Sequence, residues 1–313
     1  MTHSAQPTRS PLDSSGLIIV DKPQGLSSHD VVARCRRIMK TKKVGHSGTL
    51  DPMATGVLVL GIERGTKFLA HVVTHDKRYE ATVRLGASTV TDDAEGEVTS
   101  QASPTELTAV SAEAIREAFA AQTGEIMQRP TSVSSIKIDG RRAHELVREG
   151  HQVEIPARPV TVFSLNAGDP VVVFGGDGTP AAIDIPISVH CSSGTYIRAI
   201  ARDVGAALGV GGHLTALRRT SVGPFHIAQA RTLEQLSDAP RLALTLDEAM
   251  VTCFPTREIT EDQGEMLSLG KWLEPVGLTG LHAAVTPSGK AIALLREKGK
   301  RAASEFVARP HGL

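Results

Sequence analysis

Aromatic residues, cysteines and long apolar runs are all scarce in this chain, and each scarcity excludes a class of protein. Phe, Trp and Tyr make up 3% of the 313 residues, with one tryptophan and two tyrosines. The three cysteines, at positions 35, 191 and 253, form no CxxC pair, which argues against a disulfide framework or a zinc ribbon. No apolar run reaches the roughly 18 residues of a membrane-spanning helix. We therefore predict a globular protein of the reducing cytoplasm that does not enter a membrane.

Net charge is also absent, but the charged residues are unevenly distributed. Lys plus Arg and Asp plus Glu each number 34, so the overall charge does not indicate a nucleic-acid partner. Between Val31 and Leu50, basic residues occur without any acidic one, whereas acidic residues cluster between Thr91 and Val98. The acidic cluster lacks the spacing of an EF-hand, and we interpret it as a solvated loop. The basic stretch predicts a local surface that can contact phosphates.

Several common catalytic motifs are missing. No GxGxxG sequence follows a predicted strand, and no P-loop or HExxH sequence is present. The 12 histidines do not cluster at metal-ligand spacings, and no GxSxG sequence or Cys-His pairing indicates a hydrolase. These absences argue against nucleotide-dependent and zinc-dependent catalysis.

The sequence pattern predicts an α+β protein. Residues 1–14 contain no apolar segment typical of a secretory signal and are expected to form a disordered tail. A domain over 15–250 and a small β-rich domain over 251–313 are predicted to follow, because short strands separated by Gly and Pro dominate the C-terminal part. Strands are predicted at 16–20, 56–62, 77–85, 153–165, 171–174, 181–190 and 218–227. Helices are predicted after a cap at Ser28, at 103–124 and at 194–209, and a strand, turn and helix at 132–150.

One carboxylate lies in an unusual setting, the segment GHSGTLDPMATG at 45–56. Its glycines and its proline suit neither a regular helix nor a regular strand, and glycine allows close approach of the backbone to a ligand. A carboxylate such as Asp51 can act as a nucleophile, a general base or an electrostatic stabiliser. The residues alone leave two interpretations open, an acid acting on a phosphate-containing substrate and a simple Asp-Pro turn.

Several longer segments together resemble the TruB family of bacterial tRNA pseudouridine synthases. They are VDKPQGLSSHD (20–30), GHSGTLDPMATGVLVLGIERGTK (45–67), KRYEATVRLG (77–86), RPTSVSSIKIDGRRAHELVREG (129–150) and CSSGTYIRAIARDVGAALGVGGHLTALRRTSVGPF (191–225). The resemblance spans roughly residues 16–235, although His144 stands where the family often has an aromatic residue. Residues 251–313 are similar to the PUA-like RNA-binding domain of this family.

The resemblance implies a fold and an activity. The expected fold is a mixed or antiparallel central sheet flanked by helices, with the PUA-like domain at the C-terminal end. The expected activity is conversion of uridine 55 in the T-loop of tRNA to pseudouridine by base flipping. The resemblance also implies a monomer that binds the T-arm of tRNA and needs no cofactor, no metal and no obligate protein partner.

The resemblance further assigns roles to residues. It implies that Asp51 is the essential catalytic residue and that Arg198 is a nearby cation that keeps it ionised. Tyr196 resembles a residue that packs by the carboxylate, and Tyr79 one that stacks on the target base. His46 resembles a residue that holds the flipped nucleotide, and the counterpart of Leu217 is an apolar wall of the pocket. The intermediate stays open between attack at C1′, attack at the uracil ring and proton removal at C2′.

Basic residues within these segments are expected to contact phosphates. They are Lys22, Arg36, Arg37, Lys42, Lys43, Arg141, Arg142, Arg218 and Arg219. Purely structural roles are the alternatives for the other residues: a surface cation for Arg198, core positions for Tyr79 and Leu217, and a turn cap for His46.

Two other functions compete with this interpretation. A tRNA-folding module would bind RNA and survive the loss of Asp51. An aspartate-nucleophile hydrolase of phosphoesters would require magnesium and further acidic residues at suitable spacing, which the sequence does not offer.

Overall fold

The computed structural model describes residues 12–131 and 155–312, together with the backbone of two short strands inside the gap. Several predictions fall outside the described residues: most of the N-terminal tail, most of the strand, turn and helix at 132–150, and the position of His144. The side chains of Arg141 and Arg142 are likewise outside.

The elements alternate along the chain without regular βαβ order. The helices are α1 (Ser28–Ile38), α2 (Gly65–Val72), α3 (Pro104–Ala109), α4 (Ala112–Ala120), α5 (Ile197–Ala207), α6 (Leu233–Asp238), α7 (Leu246–Cys253) and α8 (Glu261–Ser268). The strands are β1 (Gly16–Lys22), β2 (Val44–Ser47), β3 (Thr55–Ile62), β4 (Lys77–Leu85), β5 (Ala87–Thr89), β6 (Val98–Gln101), β7 (Gly124–Gln128), β8 (Lys137–Ile138), β9 (Arg141–Arg142), β10 (Arg158–Ala167), β11 (Val171–Phe174), β12 (Pro180–Cys191), β13 (Gly212–Val222), β14 (Phe225–His226), β15 (Leu244–Thr245), β16 (Thr256–Glu258), β17 (Leu281–Val285), β18 (Ala291–Lys298) and β19 (Arg301–Val307).

The chain divides into two compact units. The first comprises the described residues of Met1–Pro52, Gly56–Val73 and Val222–Leu313, and the second comprises those of Met53–Thr55 and Thr74–Ser221. The predicted C-terminal domain therefore shares a unit with the N-terminal strands. The predicted boundary between residues 250 and 251 stays a prediction.

The first unit is built on two sets of strands. In one set, β1 pairs antiparallel with both β15 and β3, and β3 also pairs with β2. In the other, β16 runs parallel to β17, and β17, β18 and β19 follow in antiparallel order. One apolar core unites them, because Leu17 and Val59 of the N-terminal strands cluster with Phe68 of α2 and with Leu294 and Phe306 of the C-terminal sheet.

The second unit is an antiparallel sheet with helices packed against it. Strand β12 pairs with β4 on one side and with β10 and β11 on the other, and β7 extends β10. Alternation puts Ile183, Ile185, Ile187 and Val189 on the buried side of β12. Helix α5 packs on β4 and on α4.

The α+β fold with a small C-terminal sheet is confirmed, and most predicted elements are present near their predicted bounds. The predicted helix over 103–124 is wrong in one respect, because it is two helices. Ser103 and Pro104 start α3 as predicted, but Val110 has an extended backbone (ψ 110°) and Ser111 caps a new helix through Ala114 N. Strand β7 then begins at Gly124.

The predicted cap at Ser28 is also wrong by one residue. Ser27 is the N-cap of α1 and forms a capping box with Asp30, in which the Ser27 hydroxyl oxygen accepts from Asp30 N and Ser27 N donates to the Asp30 carboxylate. Ser28 therefore does not cap the helix. Its side chain is buried, and its hydroxyl forms hydrogen bonds with the backbone of Leu50. No helix in the described part of the chain is long and apolar enough to cross a membrane.

Candidate active site

The Asp51 segment lies between the end of β2 and the start of β3, in irregular backbone. Gly48 has a φ of 77°, a conformation that glycine adopts without the steric penalty of a side chain. Leu50, Met53 and Ala54 are buried, whereas Asp51 is half-buried. The carboxylate is therefore carried on a short loop whose apolar neighbours are anchored in the protein.

Two side chains of the first unit fix the backbone on either side of Asp51. The Ser28 hydroxyl accepts a hydrogen bond from Leu50 N (2.8 Å) and donates to Leu50 O (3.0 Å), and both residues are buried. The Lys22 ammonium donates to Leu26 O (2.6 Å), Pro23 O (3.0 Å) and Pro52 O (3.3 Å), and Gly25 N also donates to Pro52 O (2.8 Å). Because hydrogen bonds hold the residues before and after Asp51, they restrict the position of its Cα.

This arrangement corrects the prediction for Lys22. The side chain is fully buried, at 0% exposure, and its ammonium binds backbone carbonyls of the first unit. It is not on the surface and cannot make the phosphate contact expected from the sequence.

His46 lies in β2, opposite Leu60 of β3, and is half-buried. Its ring meets the ring of His29 edge to face, with centroids 5.4 Å apart and planes at 84°. His29 is exposed in the first turn of α1. The pair limits the orientations open to the His46 ring. The predicted role of His46 in holding a nucleotide stays a prediction.

The remaining predicted catalytic residues lie in the second unit. Tyr79 in β4 and Leu217 in β13 are buried at 8% exposure each, which leaves only a small part of each side chain accessible. Tyr196 is the N-cap of α5, and Arg198 follows in the first turn. Gln128 holds Tyr196 in place, because its carboxamide accepts from Tyr196 N (2.8 Å) and donates to Tyr196 O (3.1 Å).

Arg198 is buried and bound to the acidic loop that follows β5. Its guanidinium donates to Asp93 Oδ2 (3.2 Å) and to Thr91 O (2.8 Å), and both charged side chains are almost fully buried. The interpretation of this loop as solvated is therefore wrong for Asp92 and Asp93. It holds for Glu95 and Glu97, which are exposed. The alternative of a surface cation for Arg198 is also excluded.

Asp92 makes a second pair beside the first. Arg202, one turn along α5 from Arg198, donates to Asp92 Oδ2 (3.3 Å). Burial raises the pKa of the Asp92 carboxyl, and the nearby Arg202 and Arg198 lower it in part. Asp92 also has a φ of 58°, which Asp tolerates better than most residues. The loop is thus shaped to present two carboxylates to one face of α5.

The residues predicted to contact phosphates differ in their exposure to solvent. Arg36, Arg37, Lys42 and Lys43 are exposed on α1 and the loop after it, although Lys43 also pairs with Glu63 at 3.4 Å. Arg218 is half-buried and donates to Thr55 Oγ1 (3.2 Å). Arg219 is 1% exposed, so the prediction that it offers a free cation to RNA is corrected.

Three residues with a positioning role were missed from the sequence: Ser28, Asp93 and Gln128. Ser28 was assigned to the helix cap that its neighbour occupies, and Asp93 was hidden among similar acidic residues. Gln128 gave no signal, since a polar residue at the end of a strand is common. Among the described residues, no three His, Cys, Asp or Glu side chains come together as metal ligands.

Models of known families match the chain from residue 36 to residue 309. The description "TruB family pseudouridylate synthase (N terminal domain)" applies to residues 36–197. The descriptions "tRNA pseudouridylate synthase B C-terminal domain" and "tRNA Pseudouridine synthase II, C terminal" apply to 198–254 and 254–309. Consecutive matches of this kind cover most of both units.

Comparisons over the whole chain agree with these family-model matches. Proteins named tRNA pseudouridine synthase B are 71% identical in Corynebacterium jeikeium (97% of this chain, 98% of that one) and 54% identical in Rhodococcus jostii (96% and 95%). A solved structure of a Cbf5-Nop10-Gar1 complex contains a chain of similar fold, with a TM-score of 0.69 at 24% identity, covering 96% of this chain and 88% of that one. A structure of an H/ACA RNP bound to a substrate RNA containing 2'-deoxyuridine gives a TM-score of 0.68 at 23% identity, covering 96% and 87%. The extent and identity of these matches show that the chain belongs to the TruB family of pseudouridine synthases.

Proposed function

We propose that this chain converts uridine 55 in the T-loop of tRNA to pseudouridine, with Asp51 as the catalytic carboxylate. Family membership supports pseudouridine formation, and relatives named tRNA pseudouridine synthase B support tRNA as the substrate. The observation that carries the assignment to Asp51 is its setting. A half-buried carboxylate stands on a loop whose flanking residues are both held by hydrogen bonds: Leu50 by the buried Ser28 hydroxyl, and Pro52 by the ammonium of Lys22.

The reaction is an isomerisation in which atoms and electrons balance within the substrate. The N1–C1′ bond breaks, the uracil turns, a C5–C1′ bond forms, and the proton on C5 is lost while N1 gains one. An ionised Asp51 acts at the sugar or the base, and its fixed backbone reduces the reorganisation needed at the moment of reaction. The step requires no redox change and no net hydrolysis.

The other site residues contact the flipped base or balance the charge of the Asp51 carboxylate. Tyr79 stacks on the flipped uracil, and Leu217 forms an apolar wall against it. Arg198 supplies positive charge for the ionised carboxylate, and Tyr196 packs by it at the start of α5. Extrusion of a stacked base costs a few kcal/mol, which stacking and hydrogen bonds in the pocket offset.

His46 holds the flipped nucleotide, and cations contact the phosphates of the T-arm. The cations are Arg36, Arg37, Lys42, Lys43, Arg141, Arg142 and Arg218. RNA loops are recognised by shape and by splayed bases, which a local basic surface can serve without net positive charge on the whole chain. We infer that the chain acts in the cytoplasm as a monomer, without a cofactor or a protein partner.

Tritium release from C5 of uridine in an unmodified tRNA transcript tests the proposal. The native chain should release tritium with EDTA present and no nucleotide added, and Asp51→Asn should release none while it still binds tRNA. Glu80→Gln, an exposed carboxylate in β4 changed in the same way, is the matched control and should keep its activity.

The alternative function is a tRNA-folding module. Binding without release by the native chain would favour that module and contradict the synthase proposal for this substrate. Equal tritium release by the native chain and Asp51→Asn would show that Asp51 is not the catalytic residue.

A further inference from the structure

Arg202, in the middle of α5, binds acceptors on three different segments. Its Nε donates to Asp203 Oδ1 (2.9 Å) on α5 itself. Its Nη1 donates to Asp92 Oδ2 (3.3 Å) in the acidic loop, and its Nη2 donates to Arg129 O (2.7 Å), just after β7. Each contact uses a different nitrogen of the planar guanidinium, whose donors have a fixed geometry. One side chain therefore joins α5, the acidic loop and the segment that follows β7.

The segment that follows β7 is bound to the same two elements on both sides of Arg129. Before it, Gln128 is 2% exposed, and its carboxamide forms the two hydrogen bonds with the backbone of Tyr196 at the start of α5. After it, Thr131 is fully buried, and its hydroxyl lies 3.5 Å from Thr91 O in the acidic loop. This segment is therefore attached both to the acidic loop and to the start of α5.

These attachments surround the two acceptors of Arg198. Arg198 donates to Thr91 O and to Asp93 Oδ2, which belong to the residues immediately before and after Asp92. Strand β13 holds the backbone of Asp92, because Leu214 N donates to Asp92 O (3.1 Å). The carboxylate of Asp92 is held separately, by the guanidinium one turn along α5 from Arg198. A change in the position of Asp92 would move both acceptors of Arg198.

We propose that Arg202 is a positioning residue for pseudouridine formation. It fixes the acidic loop and the segment after β7 on α5, and so keeps Arg198 and Tyr196 in the orientations that the reaction needs. The inference rests on the proposed function, in which Arg198 supplies positive charge for the catalytic carboxylate. A partly exposed ion pair such as Arg202–Asp92, with side chains 26% and 12% exposed, contributes little to stability by itself. Its loss should therefore affect the rate of reaction more than the fold.

A phosphate contact is the alternative role for a partly exposed arginine. In that case, removal of Arg202 would weaken tRNA binding and reduce the slope of log affinity against log salt by about 1. However, all three nitrogens of the guanidinium are engaged within the protein, and two of their acceptors are carboxylates, which repel phosphate. The contacts therefore favour positioning over phosphate binding.

Single-turnover kinetics of two variants, at saturating enzyme concentration, test the proposal. Arg202→Ala should slow pseudouridine formation about tenfold, because small misplacements near reacting groups are costly, and should leave tRNA affinity within about twofold of the native value. Arg202→Lys keeps the charge but replaces the fork of donors by one ammonium, so it should remain at least about threefold slower than the native chain. A native rate in Arg202→Ala, or a loss of tRNA affinity that accounts for its slower reaction, would overturn the proposal.

Arg231→Ala is the matched control. Arg231 also binds backbone carbonyls in and just after a helix, with Nη1 donating to Ala239 O (2.9 Å) and Nη2 donating to Gln235 O. That helix, α6, supplies none of the proposed site residues. The control should fold, as measured by thermal unfolding, and keep the native rate. Equal slowing in Arg231→Ala and Arg202→Ala would point to a general loosening of the protein and would count against positioning.

A double-mutant cycle tests whether Arg202 acts through Asp92. Asp92→Asn keeps the size of the side chain but removes its charge, and it should slow the reaction as Arg202→Ala does. If the two residues act together, the double variant should be no more than about twofold slower than the slower single variant. A rate reduced by the product of the two single effects would show that the residues act independently, and would contradict the proposal.

Hydrogen exchange separates the failure of this inference from failure of the proposed function. Arg202→Ala should exchange faster than the native chain at residues 89–94 and 196–200, because local opening becomes easier when the links are lost, whereas Arg231→Ala should not. Unchanged exchange at these residues would overturn the inference in an active chain as well as in an inactive one. A native chain that forms no pseudouridine would instead overturn the proposed function, and exchange would still report on the contacts of Arg202.

Discussion

At the scale of the residue, the structure distinguishes Asp51, the carboxylate proposed to react, from the side chains that hold its loop. Asp51 could be selected from the sequence because glycine and proline around a single acid mark an irregular loop. Asp93 could not be selected, because four similar acids lie between residues 92 and 97 and only the fold brings one of them to Arg198, 105 positions away. Ser28 was obscured by its neighbour, since two adjacent serines are equally suited to cap a helix.

The Ser28 hydroxyl should matter more for rate than for RNA affinity. Ser28→Ala leaves the N–H and C=O of Leu50 buried without their partner, which should cost about 1–3 kcal/mol of stability and loosen the residue next to Asp51. We expect single-turnover pseudouridine formation to slow at least tenfold while tRNA affinity stays within about twofold. Ser27→Ala, the control, removes the helix cap at a cost of about 1 kcal/mol and should keep the native rate. Equal rates in both variants would show that the Leu50 contact does not position the carboxylate.

The ammonium of Lys77 should make stability depend on pH in the alkaline range. Burial, with a smaller contribution from the positive charge of Arg219, lowers the pKa of Lys77 to about 8. Its folded pKa is below the unfolded value of 10.5, so the burial penalty of the charged form is fully present below pH 8. Stability should then rise by about 2–3 kcal/mol as the pH rises from 8 toward 10.5, because over that range only the unfolded chain keeps the proton.

Denaturant unfolding across this pH range, compared with Lys77→Met, isolates the contribution of Lys77. The variant has a side chain of similar length that cannot titrate, so it lacks the burial penalty of the charged ammonium. The native chain loses this penalty as the pH rises, so the difference in free energy of unfolding between the two chains should become smaller. If the free energies of unfolding of the native chain and the variant changed in parallel with pH, the ammonium of Lys77 would not be desolvated.

At the scale of the element, the sequence predicted strands better than helix ends. Alternation in KRYEATVRL matches β4 because one side of this strand packs on the core and the other does not. The break between α3 and α4 escaped prediction, because residues 103–124 contain no glycine or proline between Pro104 and Gly124. Tertiary packing of Leu107 on one side of the break and Ile115 on the other overrides a continuous helical pattern. The partners of each strand also depend on contacts distant in sequence, which periodicity does not encode.

Helix α5, which carries Arg198, should tolerate no side chain at Gly205. A Cβ there would lie 2.2 Å from Gly211 C and Gly212 N, and backbone atoms cannot move away cheaply. Gly205→Ala should therefore destabilise the protein by about 1–3 kcal/mol or more, although alanine favours an isolated helix by about 1 kcal/mol. Ala206→Gly, at an exposed position of α5, is the comparison and should cost about 1 kcal/mol. A variant Gly205→Ala that matches or exceeds native stability in chemical denaturation would refute the close contact.

At the scale of the whole molecule, a neutral chain offers RNA a local basic surface. Lysines and arginines are exposed along α1 and the following loop, whereas Lys22 and Arg219 are buried. Counting basic residues in the sequence overestimated this surface, because two of them serve the protein's own backbone or core.

Affinity for tRNA should fall steeply as salt increases, since each neutralised phosphate releases counterions. Arg37→Ala should reduce the slope of log affinity against log salt by about 1. Arg116→Ala, an exposed arginine of α4 outside the basic stretch, should leave the slope unchanged. Fluorescence anisotropy over a salt series measures both slopes. A flat dependence for the native chain would argue against phosphate contacts by α1.

The shared core of the first unit sets an order for its maturation on the ribosome. Leu17, Val59 and Phe68 are translated more than two hundred residues before their packing partners Leu294 and Phe306. The second unit, by contrast, takes nearly all of its residues from the continuous stretch Thr74–Ser221 and can close while synthesis continues. The apolar core of the unit that holds Asp51 is therefore completed only after Leu294 and Phe306 have left the exit tunnel, later than the core of the second unit.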